Sequence, residues 1–131
     1  MRKSSSISAG ATYLNKGRRV DELRRAARRA QGRLPSIERM RLFGSLASGT
    51  PTPRSDADIL IVVKTSEYGR PADRLPDMLR ALAPLPCPVD LFVLTREEFE
   101  TARRDGAPVV REALANGIDL LAPAPEPRTV E

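Results

Sequence analysis

Residues 56–63, Asp-Ala-Asp-Ile-Leu-Ile-Val-Val, constrain the fold more than any other stretch of the chain. The run from Ile59 to Val63 is apolar without interruption, the pattern of a strand covered on both faces. Such a strand belongs in the middle of a layered α/β domain, with a helix layer on each side of the sheet. Asp56 and Asp58 open it at i and i+2, so in extended backbone their side chains leave the same face with Cα atoms roughly 6.5–7 Å apart. Carboxylates held that close repel, which raises one pKa or calls for a cation.

The surrounding elements follow from periodicity. Val20, Leu23, Ala26, Ala27 and Ala30 fall at helical spacing, with Arg24, Arg25, Arg28 and Arg29 on the other side, predicting an amphipathic basic helix from Val20 to about Ala30. The alternation in residues 39–43 predicts a short strand ending at Gly44. The connection over residues 50–55 is short enough to make this strand and the next antiparallel neighbours. Leu75, Met78, Leu79 and Leu82 predict a helix, and residues 89–95 a third strand. Thr95 and Glu98 form a capping box opening a helix to about Arg103. A last helix runs from about Pro108 to Asn116, with Gly117 expected in the left-handed C-cap conformation, and residues 118–123 follow as a short edge strand. The whole reads as an α/β fold, a small mixed β-sheet flanked by helices. Residues 18–122 form the domain; residues 1–17 are expected as a flexible basic arm and 123–131 as a disordered tail.

At 131 residues the sequence fits one domain with one core, aliphatic because only 4% of residues are aromatic. The sequence has no histidine, which removes the usual base of Ser-His and Cys-His nucleophiles and the His ligands of zinc sites. A single cysteine, Cys87, allows no internal disulfide and reads as a buried structural residue in a reducing compartment. No apolar run approaches the roughly 20 residues of a bilayer span. A soluble, cytoplasmic protein with no membrane association is expected. The net charge of +5 is uneven, residues 1–43 carrying twelve Lys/Arg against three Asp/Glu. That points either to a nucleic acid, nucleotide or acidic partner or to a solvated helix face with a basic tail. Tyr13 and Tyr68 are sparse and unpatterned, so nucleic-acid recognition by stacking is weakly supported.

A lone Asp-x-Asp is common in turns. Here Asp90 stands in a second apolar strand, where an unpaired charge is costly. Three carboxylates converging from adjacent strands make a metal site, and hard oxygen donors without His or Cys favour Mg²⁺ or Mn²⁺. The segment Gly44-Ser45-Leu46-Ala47-Ser48 gives this site a companion: if Gly44 ends a strand and Ser45–Ser48 begin a helical turn, free N–H groups face a phosphate beside the aspartates. A Walker loop is excluded because Thr50 stands where its lysine belongs.

The combination of Gly-Ser, a turn-rich stretch, Ser-Asp-Ala-Asp with its apolar run, and Asp90 on a later strand resembles the minimal nucleotidyltransferase branch of the DNA polymerase beta superfamily, from about Met40 to Leu94. The resemblance implies a polymerase-beta-like nucleotidyltransferase fold and transfer of a nucleoside monophosphate from an NTP to a hydroxyl. By matching position, Gly44 and Ser45 would hold the β and γ phosphates, Asp56 and Asp58 the metals, and Asp90 would complete the metal site and act as general base. Leu46 and Ser48 stand where members of the family often carry arginine; Arg54 and Lys64 are the candidates to supply the missing charge.

A chain of this length leaves no room for a polymerase's accessory domains, so the acceptor is expected to come from outside. Similar free-standing domains are antitoxins of two-gene modules that adenylylate a helical HEPN-type toxin, implying ATP as donor and a partner protein as acceptor. Two alternatives stay open: a transferase acting on a small molecule, and a catalytically weak nucleotide- and partner-binding module using the basic helix.

Overall fold

A strand buried on both faces needs cover from two helical layers, and the chain supplies them. The structure, a computed structural model, describes residues 5–44, 47 and 57–122, with backbone alone for 5–16. Helix α1 (Ser5–Arg33) leads into β1 (Ile37–Phe43), and β2 (Ala57–Val63) follows. A 3₁₀ turn (Pro71–Arg74) then runs into α2 (Leu75–Leu82), β3 (Val89–Thr95), α3 (Arg96–Asp105), α4 (Pro108–Asn116) and β4 (Ile118–Asp119). The sheet order is β3-β2-β1-β4, with β1 antiparallel to β2 and β4 and β2 parallel to β3. The expected small mixed sheet with flanking helices is therefore present.

The two sides of β2 go to different helices. Ile59 and Ile61 join Met40 and Leu42 under Leu23, Ala26, Ala27 and Ala30 of α1 and Met78 and Leu82 of α2. Leu60 and Val62 join Phe43 under Phe99 of α3 and Val110 and Ala113 of α4. The alanine stripe of α1 is fully buried, which lets the helix lie close against the sheet. Six of the seven β2 residues are buried, Asp58 being the exception at half-buried.

Several expectations need revision. The helix expected from Val20 starts at Ser5, so helical backbone continues through most of the segment read as an arm; that segment holds no proline to stop it. The tail at 123–131 lies outside the described residues. Gly117 is extended (φ −84°, ψ 166°), not left-handed. Glycine serves there because a Cβ would lie 3.0 Å from Leu42 O and closer still to Ala113 O as the chain turns into β4. The left-handed C-cap is instead made by Gly106 (φ 72°), whose N–H closes the end of α3. Cys87 is half-buried against the α1 side of the core.

Arginine does much of the work at chain ends. Arg33 Nη1 donates to Ala81 O at 3.1 Å and Ala83 O at 3.0 Å, and Arg29 Nη2 to Leu82 O at 3.1 Å and Pro84 O at 2.6 Å, so α1 caps the C-terminus of α2. Arg41 does the same for α4 through Ala113 O at 2.7 Å and Gly117 O at 2.9 Å. Arg24 sits beside Asp21 at 3.8 Å and Arg19 beside Glu22 at 3.8 Å. Much of the positive charge of the first third is thus spent within the fold.

Arg74, only 4% exposed, is the most committed of them. Its guanidinium donates to Tyr68 O at 2.9 Å, Val93 O at 2.9 Å, Glu98 Oε1 at 2.7 Å and Glu98 Oε2 at 3.1 Å. Glu98 also closes the expected capping box, Thr95 N donating to its Oε1 at 2.9 Å and its own N–H donating to Thr95 Oγ1 at 3.2 Å. The Arg74 hydrogen bond holds the Glu98 carboxyl below its ordinary value. A carboxylate with a depressed folded-state pKa stabilises the fold above the unfolded-state value of about 4.3 and loses that contribution as pH falls through the folded value. Glu98→Gln should therefore destabilise the domain near neutral pH by about 1–2 kcal/mol, below the range for a fully buried pair because Glu98 is 37% exposed. Urea titrations of native and variant protein should converge as pH falls below about 4.

Candidate active site

The site is built by register. β1 ends where β2 and β3 begin, and the pairing sets Phe43 against Asp58 and Asp58 against Asp90. Asp58 and Asp90 are each the second residue of their strand, in neighbouring parallel strands about 4.8 Å apart. Side chains alternate along a strand, so both carboxylates leave the face that carries Phe43, Leu60, Val62 and Phe92, beneath α3 and α4. The Phe43 and Phe92 rings, 5.7 Å apart between centroids, lie across that face.

Gly44 completes the row. Its φ of +82° is the left-handed turn that takes the chain off β1. A Cβ built there lands inside the contact radius of the Asp58 carboxylate oxygen and 3.2 Å from its Cγ. The backbone at Gly44 is therefore pressed against Asp58.

Asp58 is half-buried and Asp90 exposed. The expectation that Asp90 would be embedded in apolar surroundings is revised: β3 is a sheet edge, and its second residue reaches solvent. Asp56, Ser45 and Arg54 lie outside the described residues. Among the described residues no group of three potential metal-ligating side chains gathers, so the proposed trio is represented by its Asp58–Asp90 pair. Lys64 does not join them. It follows the last residue of β2, six positions from Asp58, or roughly 20 Å along extended backbone. Its N–H instead donates to Ser36 O at 2.9 Å.

That opposite end of the sheet holds a separate cavity of about 280 Å³, lined by Val63, Tyr68, Arg74, Asp77 and Met78 among others. Tyr68 donates its hydroxyl to Asp77 Oδ2 at 3.0 Å there, far from the aspartate row. Sequence reasoning missed the pairing of buried Arg74 with half-buried Glu98. The capping box signalled Glu98, but nothing local marks Arg74, whose partners come from residues 68, 93 and 98.

The arrangement offers two acid groups in one row, a hard-donor set suited to Mg²⁺ or Mn²⁺, next to a backbone bend with no side chain in the way. Gly44→Ala should be felt at this end of the sheet: the strained φ and the collision with Asp58 should cost about 1–3 kcal/mol in urea unfolding. Substitution to Ala at Gly69, with nothing within 4 Å, is the control and should stay within about 0.5 kcal/mol.

Comparison with known proteins agrees with this geometry. A search of curated proteins returns no significant match. Among solved structures, the chain resembles the crystal structure of a "putative nucleotidyltransferase" from Sulfolobus solfataricus with a TM-score of 0.57 and 23% identity, covering 90% of this chain and 87% of that one. At that identity the likeness speaks to the fold. The sequence profile of the nucleotidyltransferase domain matches residues 20–120, a span containing Gly44, Asp58 and Asp90, and the chain belongs to that family.

Proposed function

We propose that the chain transfers AMP from ATP to a hydroxyl of a partner protein, in the manner of an antitoxin that modifies a HEPN-type helical toxin. The observation that carries the transferase reading is the in-register Asp58–Asp90 pair at the strand end where Gly44 turns the backbone against Asp58. The family supports a transferase; the choice of ATP and of a protein acceptor is the finer part of the proposal.

In this reading Asp58, together with Asp56, holds Mg²⁺ (or Mn²⁺), and Asp90 completes the donor set. When bound, the cation neutralises triphosphate charge and lowers the pKa of the attacking hydroxyl. The backbone at Gly44 and Ser45 receives the phosphate tail, and Arg54 supplies positive charge beside it. Asp90, exposed at the open side of the site, takes the proton from the acceptor hydroxyl. The hydroxyl oxygen bonds to the α-phosphorus, the bond from that phosphorus to the α–β bridging oxygen breaks, and pyrophosphate departs. Catalysis rests on positioning and charge neutralisation.

The test is ATP labelled in its α-phosphate, incubated with Mg²⁺, the chain and separate acceptors. Label on a helical partner protein encoded beside this chain supports the proposal; label on an aminoglycoside alone, or nucleotide binding without transfer to any acceptor, refutes it. Asp58→Asn and Asp90→Asn should each lower transfer by roughly 10²–10⁴-fold with an unchanged circular dichroism spectrum. Transfer at the native rate by either variant removes that residue from the mechanism.

A further inference from the structure

The edge of β3 is open along one half and closed along the other. Ala57 N donates to Pro88 O, and the register of β2 on β3 then directs the N–H and C=O of Asp90, Phe92 and Leu94 towards β2. The N–H and C=O of Val89, Leu91, Val93 and Thr95 accordingly face outwards. The far half of this edge is capped by side chains: Arg74 donates to Val93 O and Glu98 accepts from Thr95 N. Four outward groups, both on Val89 and both on Leu91, have no partner among the described residues, whereas Val93 is buried beneath Arg74. They flank Asp90. An unpaired strand edge is a template for another strand, and here the Arg74–Glu98 pair confines that template to the site end.

We infer that the acceptor polypeptide docks as an added strand on Val89–Leu91, placing its hydroxyl-bearing residue opposite Asp90. The inference rests on the transferase reading and names how the acceptor is held. In antiparallel pairing Asp90 falls in a non-hydrogen-bonded pair, where opposing Cα atoms are about 4.5 Å apart and the facing side chain shares the face of the carboxylate. A Ser, Thr or Tyr at that position presents its hydroxyl on the face of the Asp58–Asp90 row. That oxygen takes the AMP, its proton passes to Asp90, and pyrophosphate leaves. Half-exposed Val89 and Leu91 offer apolar contacts to the next positions on the other face. A second copy of this chain fits worse: pairing about Leu91 sets Val89 against Val93, whose carbonyl Arg74 already occupies.

The probe is a synthetic strand-forming peptide with one hydroxyl, acetyl-Gln-Gln-Val-Tyr-Val-Gln-Gln-amide, whose valines flank the tyrosine opposite Val89 and Leu91, added to the full chain with ATP and Mg²⁺. Amide hydrogen exchange read by NMR should slow by about tenfold or more at Leu91 and Val89, with Phe92 unchanged, as expected when outward N–H groups gain backbone partners. Unaltered exchange at Leu91 with millimolar peptide overturns the inference. In a second arm, Leu91→Pro removes one outward donor while sparing the ladder to β2. It should raise KM for the peptide by about tenfold and leave KM for ATP in place. Equal KM for the peptide in both proteins overturns the inference while the transferase reading stands. If labelled AMP reaches neither the peptide nor acetyl-tyrosine amide, the proposed transfer itself fails, and exchange at Leu91 alone decides whether the edge takes a strand.

Discussion

The register between β1, β2 and β3 is the constraint on which the rest depends. A slip of one residue in any pairing would send Asp58 or Asp90 to the opposite face, against the apolar cluster beneath α1 and α2. The register is held by fit, Ile59 and Ile61 packing against α1 and α2 while Leu60 and Val62 pack against α3 and α4, so that a slip exchanges two sets of differently shaped side chains in close-packed layers. The cost of burying Asp58 beside Gly44 is thus carried by a strand that has no alternative position. The site is precise because it stands at the start of the most strongly determined element of the fold.

Guanidinium groups connect this scaffold to its helices. Arg29 and Arg33 satisfy carbonyls at the end of α2, Arg41 those at the end of α4, and Arg74 joins the loop at Tyr68, the edge of β3 and the capping box of α3. Unpaired carbonyls at a buried helix end are costly, and a planar donor with five N–H groups can satisfy two or three at once. The chain's positive charge therefore serves the fold before it serves any partner. In the first third, Arg18, Arg25, Arg28 and Arg39 remain exposed with neither an ion-pair partner nor a carbonyl to cap among the described residues.

What could be read from the sequence was whatever depends on neighbours along the chain. The continuous run at 59–63 made β2 legible, the Thr95–Glu98 spacing made the start of α3 legible, and Gly44, Asp58 and Asp90, singled out together in the sequence, stand at the same end of the sheet. The failures are non-local. Arg74 looks like one more solvent-facing arginine until residues 68, 93 and 98 are brought to it. Arg29 falls on the polar side of a basic helix in the sequence, and nothing nearby marks the carbonyls it caps, which lie more than fifty residues away. Lys64 was a different error: strand rise alone places it at the other end of the sheet from Asp58. Gly117 was assigned a local turn, whereas its demand is space against Leu42 O across the sheet.

The central claim is that Asp58 and Asp90 together form a cation-held nucleotide site at the Gly44 end of the sheet. Paramagnetic Mn²⁺, titrated with a non-hydrolysable ATP analogue into isotope-labelled protein, reports directly on that placement. Amide resonances of Gly44, Asp58 and Asp90 should broaden first and most, while that of Lys64, some 20 Å away along its strand, is affected least. Broadening centred on Lys64 and Tyr68, or none at Asp58 and Asp90 when the analogue is bound, would contradict it.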